Sequence, residues 1–134
     1  MILVAELDWE LKREIEDIVD YLACTRVTRF YPTYIHRITK IPLDKVFHHL
    51  LTMVGDKRLA LKWEIRCPNL DCESIITCTE RIQDYIDKYI ECDYCENDVL
   101  VSKSIVFPVF VIDSDYRGKI YEIKKKEINP LKVL

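Results

Sequence analysis

Apolar side chains at Leu7, Leu11, Ile15, Ile18, Val19 and Leu22 recur at helical spacing and predict a first helix over about 8–23. Asp8 is the expected N-cap, and acidic residues fill the first turns, where the helix dipole favours them. From Thr25 to Tyr31 the chain is β-branched and aromatic, as a short strand requires, and Pro32 stops it. A short segment follows with Tyr34, Ile35 and Ile38 on one side, then the tight turn Lys40-Ile41-Pro42. Leu43, Val46, Phe47, Leu50, Leu51 and Val54 then trace one apolar stripe. They predict an amphipathic helix with Gly55 where a C-terminal cap belongs. Leu59 to Arg66 alternates like a half-buried strand.

Beyond Cys67 the pattern turns to β, in ESIITCTE, in YIE before Cys92 and in DVLVSKSIVFPVFVI, with RIQDYIDKY between as a helical turn or loop. The last stretch opens with a hairpin-like Asp115-Tyr116-Arg117-Gly118 and runs into a basic, partly apolar tail. The expected class is α+β, with a helical unit at 1–66, a small antiparallel β unit at 67–115 and a basic C-terminal tail at 116–134.

Helix, short helix, tight turn, longer helix and strand is the order of a winged helix-turn-helix. YIHRITKIPLDKVFHHLLTMV resembles the helix-turn-helix of that superfamily over roughly residues 7–66. Ile35 matches the buried residue of the first motif helix, Thr39-Lys40-Ile41-Pro42 the turn, and Val46 and Leu50 the buried face of the recognition helix. Lys40 stands where the superfamily usually has glycine. A generic three-helix cluster gives the same periodicity. The resemblance implies that Asp44, Lys45, His48, His49 and Thr52 face outward, flanked by Thr33, His36 and Arg37 and followed by Lys57, Arg58 and Lys62. Lys and Arg neutralise phosphates, and His and Thr reach base edges or the sugar-phosphate chain. Thr33, His36, Arg37, Lys45, His48, His49, Thr52, Lys57 and Arg58 are therefore the expected contacts to double-stranded DNA.

Five of the six cysteines lie between Cys67 and Cys95. Cys92-Asp93-Tyr94-Cys95 is a tight two-thiol turn, and Cys67-Pro68-Asn69-Leu70-Asp71-Cys72 is a wider one rich in turn formers. Asn97, tolerant of the left-handed conformation, follows where such turns often carry glycine. Nineteen residues separate the turns, enough for a hairpin to return the chain. The arrangement resembles a zinc ribbon, with Cys67, Cys72, Cys92 and Cys95 holding one structural Zn²⁺. A redox pair wants a helix N-terminus and a basic setting, whereas this setting is strand-like and acidic. An iron–sulfur cluster uses other spacings. A catalytic zinc would leave an open position and recruit His, yet His36, His48 and His49 all lie in the N-terminal half. Cys24 and Cys78 read as packed small side chains, with Cys78 the substitute should a turn cysteine go unused.

Charge sharpens this picture. Residues 1–24 carry a net −5, 25–62 a net +6, 67–115 a net −8 and the stretch from Tyr116 a net +4. A tetrathiolate zinc adds negative charge to the third block, which would repel a phosphate backbone and suits a basic protein surface. The start of the chain lacks the basic-then-apolar pattern of a secretory signal, and no segment approaches membrane-spanning length, so an intracellular, cytoplasmic location is expected. No Gly-rich phosphate loop, Ser/His/Asp set or open metal site is visible, so no enzyme is expected, and Asp84 and Asp87 read as a solvated face. Winged helix before zinc ribbon is also the domain order of the alpha subunit of general transcription factor E, a resemblance of order alone. The sequence thus points to a DNA-binding transcription regulator or transcription-complex factor. The competing expectation is a protein–protein adaptor docking through the winged helix and the acidic ribbon. The apolar-and-basic tail Ile120–Leu134 offers a homodimer surface in either case.

Overall fold

A computed structural model describes the backbone of residues 2–128 and the side chains of 8–126. The chain is mixed α+β and divides into two compact units. The first comprises residues 1–60 and 110–134, and the second comprises the continuous stretch 61–109. The second unit is thus inserted in the chain between the two parts of the first.

In the first unit, α1 spans Ile2–Ala23, β1 Arg29–Phe30, α2 Pro32–Thr39 and α3 Leu43–Gly55. α1 starts before Asp8, which lies inside the helix and is not its N-cap. β2 spans Leu59–Arg66, β6 Val106–Ile112 and α4 Ser114–Ile128. β6 pairs antiparallel with β1, Arg29 opposite Val111 and Phe30 opposite Phe110. Phe110 is fully buried, stacked on Phe30 at 6.0 Å and edge-on to Phe47 at 5.6 Å. Ile15, Val19, Leu22, Ile35, Val46, Leu50 and Met53 are also buried in this unit, with Ala23, Ile41, Leu59 and Ile112 around them.

The turn between α2 and α3 is pinned by side chains of its own sequence. Lys40 takes the left-handed conformation with φ 64°, and its N–H donates to His36 O at 2.9 Å. His36 Nδ1 lies 2.6 Å from Ile41 O, and Thr39 Oγ1 accepts from Ile41 N–H at 3.1 Å. Gly55 is the last helical residue of α3, and the left-handed position falls on Lys57, φ 66°. Lys57 N–H donates to Val54 O and Arg58 N–H to Met53 O, closing the helix end in a Schellman pattern.

The expected turn at Asp115–Gly118 and the stretch beyond it as far as Ile128 are instead α4. Asp113 is the reason: its Oδ2 accepts from Tyr116 N–H at 3.0 Å, capping the first turn. Asp115 in the first turn and Lys125 and Lys126 in the last complement the helix dipole. α4 is tied to the end of α1. Tyr116 Oη donates to Asp20, and Arg117 donates to the carbonyl of Ala23, which ends α1 and has no intrahelical partner, and to those of Thr25 and Val27 in the loop after it. Residues 129–134 of the proposed dimer tail lie outside the described residues. Among the described residues no helix is long and apolar enough to cross a membrane.

In the second unit β3 spans Ile75–Thr79, β4 Tyr89–Glu91 and β5 Asp98–Leu100, with 3-10 turns at Ile82–Asp84 and Lys103–Ile105. β4 and β5 form a separate two-stranded antiparallel pair. β2 pairs antiparallel with β3 from Trp63 opposite Thr79 to Arg66 opposite Ile75. β2 does not simply alternate as the sequence suggests: both Glu64 and Ile65 are fully buried. Glu64 accepts from Arg66 Nη2 at 3.2 Å, and the Arg66 guanidinium also lies over the Phe107 ring at 4.6 Å. The core of this unit joins Ile65, Val99, Val101 and Ile105 to Cys67 and Cys92, with Cys72 and Cys95 packed against it.

Candidate metal centre and expected nucleic-acid face

Both thiol turns are built alike. Cys92 N–H donates to Asn97 O at 3.0 Å, and Cys67 N–H to Ser74 O at 2.9 Å, so each first cysteine is bonded to a residue just past the second. Within the turns Glu96 N–H reaches Cys92 O at 2.7 Å and Glu73 N–H reaches Asn69 O at 3.0 Å. Glu96 and Glu73, one residue after the second cysteine of each turn, are left-handed at φ 62° and 52°. The left-handed residue is therefore Glu96 rather than the expected Asn97. The wider first turn is the same turn with Asn69 in place of its first thiol and Cys67 two residues upstream.

These turns bring the Sγ atoms of Cys67, Cys72, Cys92 and Cys95 within 4.8 Å of one another, close enough to bind a metal ion. Cys67 and Cys95 sulfurs are 3.6 Å apart, and Cys72 and Cys92 sulfurs 3.7 Å. Four sulfurs placed about 2.3 Å from one tetrahedral centre would be separated by about 3.8 Å, whereas a disulfide needs about 2.05 Å. All six cysteines are free thiols. Cys78, on β3 opposite Glu64, is not part of the cluster, and neither is Cys24.

Sequence reasoning missed Ser74. Its hydroxyl lies 3.0 Å from Cys72 Sγ and 3.4 Å from Cys92 Sγ. Together with the Cys95 and Tyr94 N–H groups it draws the Cys92 thiol down to about 6. The Asn69 N–H pulls Cys67 the same way, but burial and the three neighbouring sulfurs outweigh it and push Cys67 up to about 12. Sulfurs in mutual contact cannot all become thiolates unless a cation compensates them. The only signal for Ser74 in the sequence is its place two residues past Cys72, matching Asn97 after Cys95.

The expected DNA contacts fare unevenly. Thr33, Arg37, His48, Thr52 and Lys57 are exposed, and His36 and Lys45 are half-buried, with the ring of His36 engaged in the α2–α3 turn. His49 does not face outward: it is only 6% exposed, packed edge-on to His48, with the Asp8 carboxylate 3.4 Å from its Nε2. Arg58 is held by Asp56 at 2.7 and 2.8 Å and by Glu16 at 2.9 Å. These carboxylates keep the guanidinium firmly protonated. The buried stripe of α3 is Val46, His49, Leu50 and Met53, while Leu43 and Leu51 are 41% and 39% exposed. α3 is therefore rotated from the orientation its apolar pattern suggests. The shift brings His49 inward and turns two leucines outward beside Asp44. Comparison of the chain with known family models, curated proteins and solved structures finds no match.

Proposed function

We propose that the chain is a non-enzymatic docking protein, a winged helix-turn-helix unit stabilised by an inserted structural Zn²⁺ module of the ribbon type. The four-sulfur cluster carries this reading. Its spacing suits a tetrahedral S4 site, every position is filled by a cysteine, and soft thiolates favour zinc over hard cations. Such a closed site holds structure and leaves no position for substrate. The succession α1, β1, α2, tight turn, α3, β2, with β6 returning beside β1, supports the winged-helix reading. A protein partner suits the outward face of α3, where Leu43 and Leu51 stand beside Asp44, better than a phosphate backbone does.

Duplex DNA is the second reading, supported by a stretch of the same unit that is basic and free of carboxylates. Residues 21–43 contain no acidic side chain, and Arg29, Tyr31, Tyr34 and Arg37 line a cleft of about 260 Å³. Elemental analysis of the purified chain should find one zinc per chain, and its absence would remove the metal reading. Duplex affinity measured against salt separates the two partner classes. The docking reading expects no more than weak binding at low salt. A steep salt dependence that Arg37→Glu flattens would establish the DNA reading in its place.

A further inference from the structure

The two-stranded β4–β5 sheet of the inserted unit has an outward face that its own fold does not explain. Its register sets Tyr89 opposite Leu100, Ile90 opposite Val99 and Glu91 opposite Asp98. Ile90 and Val99 turn into the core, so strand alternation places Tyr89, Glu91, Asp98 and Leu100 together on the other side. Tyr89 is 71% exposed and Leu100 47%, an apolar pair left in water. Beside it Glu91 and Asp98 are both exposed and directly opposed, an arrangement that costs about 0.2–1 kcal/mol for like charges. Between Tyr89 and Leu100 the chain has four acidic side chains, Glu91, Asp93, Glu96 and Asp98, and no Lys or Arg to offset them. A tetrathiolate zinc behind the hairpin would add two further negative charges.

We infer that this face is a docking site for a protein segment presenting a basic side chain and an aliphatic one about 7 Å apart, the separation of alternate residues in a strand. The cation seats between Glu91 and Asp98 and relieves their repulsion, while the aliphatic group covers Tyr89 and Leu100. Nucleic acid and anionic membrane are repelled by the same charge. The inference rests on the docking reading above. That reading fails on tight, salt-dependent duplex binding and this one on the peptide result below, so the two failures are distinguishable.

The test titrates the zinc-loaded chain with a labelled octapeptide, Ser-Arg-Ser-Val-Ser-Arg-Ser-Val, which puts arginine and valine on one face. A peptide of the same composition with arginine and valine on opposite faces is the control. Binding is followed by anisotropy and by amide shifts. The first peptide should bind at least tenfold tighter, with shifts centred on Tyr89, Glu91, Asp98 and Leu100. Glu91→Lys should weaken it tenfold or more, as should Leu100→Ser, while the charge-matched Glu80→Lys leaves it within twofold. Glu91→Lys replaces a like-charge pair by an opposite-charge one, so lost binding there is not lost folding. No binding, equal binding of the two peptides, or equal weakening by Glu80→Lys overturns the inference.

Discussion

At the scale of single residues, the clearest tension is in the backbone. All five left-handed residues among those described, Lys40, Lys57, Glu73, Asp87 and Glu96, carry side chains, and neither glycine of the chain is left-handed. Three of these positions close turns that organise the fold: Lys40 between α2 and α3, and Glu73 and Glu96 after the paired thiols. A Cβ in this conformation crowds the following carbonyl, at about 1–2 kcal/mol per residue. Lys40→Gly, Glu73→Gly and Glu96→Gly should each raise the unfolding free energy by about 1 kcal/mol in urea titrations. The two glutamate replacements should gain more at low salt, because each also removes a carboxylate beside the sulfur cluster. Unchanged or lowered midpoints would show that these turns are not held left-handed. Such positions were legible only as a departure from expected glycine at Lys40. At the cysteine turns the sequence suggested Asn97, whereas the bond from Glu96 N–H to Cys92 O fixes the position one residue earlier.

Among the elements, α3 shows what periodicity leaves open. Its length was readable from Leu43 to Gly55, but the apolar set is broad enough to be buried in more than one rotation. His49 follows Val46, Leu50 and Met53 inward because its neighbours demand that face, and no spacing rule announces it. The end of α3 is held by Arg58, whose bonds to Asp56 and Glu16 lock the loop and the side of α1. Replacing this charged, partly buried donor by Met should cost about 2 kcal/mol at neutral pH. The Arg58 side-chain bond holds the Asp56 carboxyl below its ordinary 3.8. A lowered carboxyl contributes stability that is present above its unfolded value and lost as pH falls through its folded one. The difference in Tm between the parent chain and Arg58→Met should therefore shrink as pH is lowered from about 6 to about 3. A constant difference would assign the loss to packing alone. Asp20 carries the opposite sign, since burial raises its carboxyl and its contribution is lost as pH rises past 3.8. Arg58 also lowers that carboxyl, so Arg58→Met raises it further and adds to the same shrinkage of the Tm difference as pH falls.

For the whole molecule, the thiol cluster and the hydrophobic core of the inserted unit are one object, because Cys67 and Cys92 are buried among Ile65, Val99, Val101 and Ile105. Without a cation to compensate them, four crowded sulfurs would sit at the centre of that core. A strong chelator under reducing conditions should abolish the dispersed amide signals of residues 61–109 and lower Tm, and Cys92→Ser should do the same without chelator. Retention of those signals would show that the aliphatic packing suffices. The sequence by itself determined what local chemistry dictates: the helix and the strand between Leu43 and Arg66, the two thiol turns, and the four cysteines that converge. It also marked the charge blocks, since these need only composition. Tertiary structure decided which face α3 buries, that Asp113 starts a helix where a turn was expected, and that the cysteine unit is inserted rather than following a finished helical unit. The face of α3 and the insertion depend on partners far away in the chain, and α4, though capped locally by Asp113, is held by the bonds of Tyr116 and Arg117 to Asp20 and Ala23. β1 is completed only by Phe110 and Val111 of β6, more than seventy residues on, and no pattern near Arg29 and Phe30 records that pairing.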